Sequence, residues 1–145
     1  MIKQAQISDA KAAAELALCL WPDNSLEVFV EEMKGFIAHD SSVIFLAVDD
    51  FQAIGFAQCQ LRTDYVEGTD SSPVGYLEGL YVLENQRHKG FAKALVDACE
   101  RWAKSKGCTE FASDCELDNT NSYAMHLKLG FTEANRIICF TKQLK

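Results

Sequence analysis

The sequence predicts a mixed α/β domain: a central, mostly antiparallel sheet flanked by helices. Three observations point there. Residues 42–48 and 53–62 alternate apolar and polar positions around the pair Asp49-Asp50, as the arms of a hairpin do. Residues 75–83 form an apolar run, followed by a segment in which Leu95, Val96, Cys99 and Trp102 recur at helical spacing. From there strand-like and helical segments alternate. At 145 residues the chain can bury one substantial core, so residues 1–145 are expected to be a single domain.

Taken in order, residues 2–6 form a first strand. Ser8 is placed to cap a helix through residues 12–18, which stops at Trp21-Pro22 because a residue before proline leaves the α region. Ser25 caps a second helix with Leu26, Phe29, Val30, Met33 and Ile37 on one face. After the hairpin and the strand at 75–83, a long helix runs to Lys106 and closes at Gly107. A strand at 110–114, a helix from Asn119 and a last strand at 136–142 complete the chain. There are no repeats, linkers or low-complexity tracts.

Composition narrows the function. No stretch approaches the ~20 apolar residues that cross a bilayer, and the N-terminus lacks a secretory pattern. The six cysteines, Cys19, Cys59, Cys99, Cys108, Cys115 and Cys139, show no Cys-x-x-Cys and no metal-like His spacing. They read as small buried hydrophobes in a reducing, cytoplasmic compartment, with no metal. A net charge of −7 argues against nucleic acid or an anionic membrane as partner and favours a cationic one. Asp64, Glu67, Asp70 and Glu78 cluster ahead of and inside the strand at 75–83, with Arg62 the nearby base; Asp114, Glu116 and Asp118 end the next strand. In a parallel pair those two ends open on one crevice.

Between the strand and the long helix stands Arg87-x-x-Gly90-x-Ala92. A small-residue loop opening a helix offers unpaired backbone N–H groups and the positive end of the helix dipole to phosphate. No Gly-Lys-Ser/Thr follows, and the three spaced glycines of a dinucleotide site are missing. The segment resembles the acyl-CoA pyrophosphate loop of the GNAT superfamily of N-acetyltransferases. Further on, Asn119 precedes His126 by seven residues, in a segment that ends in Leu129-Gly130-Phe131. This is similar to the second GNAT hallmark, although Gly130 is also an ordinary helix C-cap. The resemblance implies the GNAT fold and acetyl-CoA as acetyl donor. It implies that Tyr81, Val82, Leu83, Arg87, His88, Lys89, Gly90, Phe91, Ala92 and Lys93 hold the donor, with Asn119 on its pantetheine arm. The family usually has Tyr where His126 stands, to protonate the departing CoA thiolate; His126 is the candidate for that role here.

A narrower resemblance covers nearly the whole chain. Trp21-Pro22-Asp23, Arg62-x-Asp64-Tyr65-Val66-x-Gly68, Ser71-Ser72-Pro73-Val74, Leu77-Glu78-Gly79 and Phe111-Ala112-Ser113-Asp114 are together similar to the aminoglycoside 6'-N-acetyltransferases. It implies acetylation of a 6'-amino group, and hence antibiotic resistance, with Trp21, Tyr65, Glu78 and Asp114 lining the amine site. Asn135 stands where some relatives carry an acidic residue, and Asn24 where close relatives carry His. The amine must lose a proton before attacking the thioester, and Glu78, directly or through water, or Asp114 is the candidate base. Direct attack in a ternary complex is expected, because the sequence shows no well-supported Cys–His pair. Two alternatives stand beside this: a GNAT enzyme for a polyamine or protein amine, and a non-catalytic acyl-CoA-binding module. A homodimer is also expected. Arg136-Ile137-Ile138-Cys139-Phe140-Thr141 is more apolar than an exposed edge strand should be, and relatives of this group commonly dimerise.

Overall fold

The computed structural model describes residues 1–145. Strand β1 (Ile2–Gln4) leads through a 3-10 turn, Ile7–Asp9, into helix α1 (Ala10–Leu20). Asp9, rather than Ser8, occupies the N-cap position of α1. Its carboxylate accepts the Gln6 amide at 2.8 Å and pairs with Lys3 at 3.1 Å. The Gln6 amide, ahead of the Lys3 ammonium, holds the Asp9 carboxyl below its ordinary value. Helix α1 stops where expected: the Trp21 amide makes the last bond, to Ala17 at 2.8 Å, and Pro22 follows. In α2 (Leu26–Ala38) the Ser25 hydroxyl accepts the Val28 amide at 3.2 Å, the cap read from sequence.

The hairpin comprises β2 (Ser42–Asp49) and β3 (Gln52–Arg62). Its tip is Asp50-Phe51, one residue later than expected, and both residues are left-handed, with φ of 52° and 64°. Left-handed central residues match the twist of a two-residue hairpin. Strand β4 (Val74–Val82), helix α3 (Phe91–Ser105), strand β5 (Phe111–Ala112) and helix α4 (Thr120–Lys128) follow. The sheet has five strands in the order β1-β2-β3-β4-β5, antiparallel except for the parallel β4–β5 pair. This is the mixed, mostly antiparallel sheet that the pattern predicts.

Helices cover both faces. Small buried residues, Ala10, Ala13, Ala14 and Ala17, bring α1 close to one face, where Phe29 and Met33 of α2 pack with Ile44, Leu46 and Phe56. On the other face Leu95, Val96 and Cys99 of α3 meet Val43, Ala57, Cys59, Leu77 and Val82. Burial on both sides explains why the middle of β3 is buried without interruption.

Three expectations need correction. The strand at 110–114 pairs only at Phe111 and Ala112, so β4 loses its neighbour after Tyr76. The strand at 136–142 does not form: no strand follows α4, and Ile137, Ile138 and Phe140 are 64%, 82% and 88% exposed. A strand gains its hydrogen bonds only from a neighbour, and within one chain this segment has none. Of the cysteines, Cys59, Cys99 and Cys108 are buried, whereas Cys19, Cys115 and Cys139 are exposed; all six are free thiols. No helix is long and apolar enough to cross a membrane.

Candidate active site

The site begins with a slip in the ladder. Along β3 and β4, Gln58 faces Gly79 and Cys59 faces Leu77, so Glu78 has no partner across the pair. Such a bulge re-aims side chains. Glu78 and Gly79 thereby both present to the face that carries α1 and α2, beside Gln58, Gln60 and Arg62 of β3. The indole of Trp21 lies on Gly79: a Cβ there would stand 2.6 Å from Trp21 Cη2. Phe29 and Phe56 hold the indole edge-on, with ring centroids at 6.0 Å and 6.3 Å. The result is a cleft of about 380 Å³ lined by Trp21, Asn24, Glu32, Gln60, Arg62 and Glu78, among others.

Its electrostatics differ from a plain acidic pocket. Arg62 Nη2 lies 2.8 Å from Glu78 Oε1 and 3.0 Å from Oε2, and Gln60 Nε2 also donates to Oε2. The guanidinium rests 3.4 Å above the ring of Tyr76, whose hydroxyl donates to the carboxylate of Asp114. Burial first, and then Asp114, push the Tyr76 hydroxyl well above its ordinary pKa, so it stays a proton donor. Gln58 is the one buried polar side chain, and its Oε1 has no partner within the protein. A buried orphan acceptor is uncommon and marks a place where strain or a ligand is accommodated.

Trp21, Glu78 and, through Tyr76, Asp114 are thus drawn together. Tyr65 and Asn135 are not. Tyr65 is 77% exposed on the loop between β3 and β4, and the Asn135 amide donates to Glu67 of that loop; neither lines the cleft. Gln58, Gln60, Tyr76 and Ser113 were missed as site residues. The polar period-two spacing of 58, 60 and 62 inside an apolar strand was the available signal.

At the C-terminal end of β4, His88 and Gly90 are left-handed, with φ of 64° and 87°. No amide from His88 to Lys93 donates a hydrogen bond within the protein, and the first bond of α3 runs from the Ala94 amide to the Gly90 carbonyl at 3.1 Å. Alternating left-handed residues before a helix make a concave row of donors suited to an anion. A Cβ at Gly90 would meet no atom within 4 Å, so the left-handed φ, not crowding, calls for glycine there. Arg87 Nε donates to the Val82 carbonyl at 2.9 Å, and its guanidinium lies 5.3 Å from the centroid of Tyr81, tying the loop to the strand.

Where β5 ends, side chains bridge the divergence. Ser113 Oγ lies 3.3 Å from the Leu77 carbonyl and 2.8 Å from His126 Nε2. His126 Nδ1 donates to the Ser122 carbonyl at 2.7 Å, so in the neutral imidazole Nε2 is the acceptor. Phe131 stacks edge-on against the ring at 5.2 Å. Asn119 caps α4 by accepting the Ser122 amide at 3.1 Å, which leaves its NH₂ group uncommitted.

Residues 10–131 match the family model described as Acetyltransferase (GNAT) family. Over 143 residues, 99% of this chain and 98% of the relative, the sequence is 43% identical to aminoglycoside N(6')-acetyltransferase type 1 of Acinetobacter haemolyticus. The chain belongs to the GNAT family, among its aminoglycoside N(6')-acetyltransferases. The corresponding enzyme of Stenotrophomonas maltophilia is 41% identical over 99% of this acetyltransferase and 94% of its own length. Among solved structures, aminoglycoside N-acetyltransferase AAC(6')-Iy in complex with CoA superposes with a TM-score of 0.96 at 39% identity, over 99% of this chain and 95% of that one. AAC(6')-Iy has also been solved with the bisubstrate analog CoA-S-monomethyl-acetylneamine, and superposes with a TM-score of 0.95 at 39% identity, over 99% and 98% of the two chains.

The contact between Trp21 and Gly79 makes one expectation specific to this acetyltransferase. Gly79→Ala should drive the indole off the bulge and cost about 1–3 kcal/mol, as overpacking does. A shift in tryptophan emission together with a lowered urea midpoint checks it. An unchanged midpoint would show that the indole moves aside freely.

Proposed function

We propose that this acetyltransferase moves the acetyl group of acetyl-CoA to the 6'-amino group of aminoglycosides, by direct attack in a ternary complex. The observation that carries this reading is the joining of two sites on one strand. β4 bears a carboxylate cleft at its bulge and runs into an anion-binding loop at its end. A polycationic sugar needs carboxylates for its ammonium groups and an aromatic face for its rings, which Glu78, Asp114 and Trp21 supply. The pyrophosphate of CoA takes the amides from His88 to Lys93, and the pantetheine arm takes the edge of β4 that β5 leaves open, with the NH₂ of Asn119 beside it.

The residues divide the chemistry. All but one lone pair of the Glu78 carboxylate is filled by Arg62 and Gln60, so Glu78 orients the substrate. Asp114 is exposed and receives one hydroxyl, from Tyr76, so it has lone pairs free and accepts the proton of the attacking amine. Amides on the open edge near Val82 polarise the thioester carbonyl as charge develops on its oxygen. The amine nitrogen bonds to the acyl carbon, the C–S bond breaks, and the thiolate takes the Nε2 proton of His126 in its imidazolium form. The transfer is direct or by way of Ser113, which passes on its hydroxyl proton and regains one from Nε2. His126 is left as the neutral imidazole with Nδ1–H on the Ser122 carbonyl. In this reading Tyr65, exposed on the loop at 63–73, and Asn135, bonded to Glu67 of that loop, meet only substrate groups that extend beyond the cleft. The free thiols fit a reducing cytoplasm.

The chain also works as a homodimer in this reading. Ile137, Ile138 and Phe140 form an uncovered apolar run on a segment without a neighbouring strand, which invites pairing with a second copy.

Thiol release from acetyl-CoA should be fast with kanamycin or tobramycin and slow with spermidine or a lysine peptide; the reverse order would favour the polyamine or protein-amine alternative, and release with none of the four the non-catalytic module. In the same assay Asp114→Asn should lose about 10²-fold or more in kcat, whereas Glu78→Gln should act chiefly on KM. Wild-type kcat/KM in both would remove them from the mechanism. Calorimetry tests the loop: Gly90→Asp sets a carboxylate against the pyrophosphate and should raise the acetyl-CoA Kd about tenfold, ~1.4 kcal/mol. Sedimentation equilibrium should find twice the 16.2 kDa chain mass, and a fully active monomer would sink the dimer.

A further inference from the structure

Arg62 occupies the place where a cationic substrate has to put its own charge. Its Nη2 contacts both oxygens of Glu78, at 2.8 Å and 3.0 Å, and its Nε lies 3.3 Å from Oε2. The flat guanidinium is pinned from the other side by the Tyr76 ring at 3.4 Å, so it is held in the cleft rather than swinging in solvent. Glu78 is only 17% exposed and Arg62 is 39% exposed. A guanidinium stays charged at any physiological pH, so the pair adds no net charge to the cleft. Glu32 on the opposite wall, and Asp114 behind Tyr76, remain as the negative groups.

An incoming ammonium therefore reaches Glu78 at one lone pair of Oε1, with a fixed cation alongside. Each further ammonium group must sit at Glu32 or Asp114, or else close to Arg62, where like charges oppose one another. We infer that Arg62 is a specificity-determining residue of the acetyl transfer: it cancels Glu78 in the free enzyme and limits how many substrate ammonium groups the cleft accepts. This rests on the aminoglycoside reading above. Its charge acts on the amine substrate, because the amides that suit acetyl-CoA belong to the separate loop from His88 to Lys93. A purely structural role makes the opposite demand. Removing a clamp from a mostly buried carboxylate would leave Glu78 unheld and weaken amine binding.

The full-length enzyme decides between them. Steady-state thiol release is measured for wild type, R62Q and R62K with kanamycin and with tobramycin, which carries one more amine, at low and at high salt. R62Q should lower the amine KM about threefold to fivefold at low salt, the size of one partly exposed charge interaction. The gain should be larger for tobramycin and should shrink as salt screens the site. R62K keeps the charge but loses the fork on Glu78 and the stacking on Tyr76, so its amine KM should fall clearly less than that of R62Q, and the KM for acetyl-CoA serves as the internal reference. An amine KM that rises or stays level in R62Q, or that falls equally in R62K, overturns the inference. R62M supplies the same readout should R62Q fail to fold, and if neither folds the role of Arg62 is structural and the inference falls. Wild type that acetylates neither antibiotic refutes the function and this inference together. Wild-type turnover with a level R62Q KM refutes the role of Arg62 alone.

Discussion

Strand β4 is held along one edge and released along the other, and the site depends on that asymmetry. β3 pairs with it from Val74 to Val82, whereas β5 covers only Gly75 and Tyr76. A sheet interior normally leaves no backbone donor or acceptor unpaired, because burying one without a partner costs about 1–3 kcal/mol. β4 is left with such groups past Tyr76, and a substrate that lies along it can satisfy them. The bulge at Glu78 falls where the second edge is lost, so the backbone that can polarise a thioester and the carboxylate that can meet an amine belong to the same few residues.

The cleft is polar in a particular way. Four side chains, Glu78, Arg62, Tyr76 and Asp114, form a chain of ion pair, stacked cation and hydroxyl–carboxylate bond. Each member fixes the next, so the two carboxylates are held apart in different surroundings: one filled by donors, one nearly free. Differing surroundings are what allow two like groups to take different roles in one reaction. The aromatic floor has a similar dependence. Trp21 reaches the bulge only because position 79 has no side chain, and Phe29 and Phe56 set its angle.

Local rules read well from the sequence wherever the cause is local. The Ser25 cap, the stop of α1 before Pro22 and the C-cap at Gly130, with φ of 96°, each follow from the chemistry of one or two residues. The alternation of β2 and β3 and the helical spacing of α3 reflect burial on a face, which a period encodes directly. Errors gathered where local signals compete. Ser8 and Asp9 are both good caps by residue type; Asp9 takes the position, with its carboxylate held by the Gln6 amide and Lys3 and by no amide of the helix.

By itself the amino-acid order determined the sheet-and-helix framework and the family, and it singled out the loop at 87–93 and the carboxylates Glu78 and Asp114 as the candidates for anion binding and for the chemistry. Only the tertiary structure decided what those carboxylates touch. Arg62 and Tyr76 lie in strands, and nothing in a linear pattern says that a slip at Gln58 turns Glu78 toward them. Tertiary structure also decided against the strand at 136–142. An apolar, β-branched run has the propensity of a strand, but a strand is a relation between two segments, and within one chain the second segment is missing.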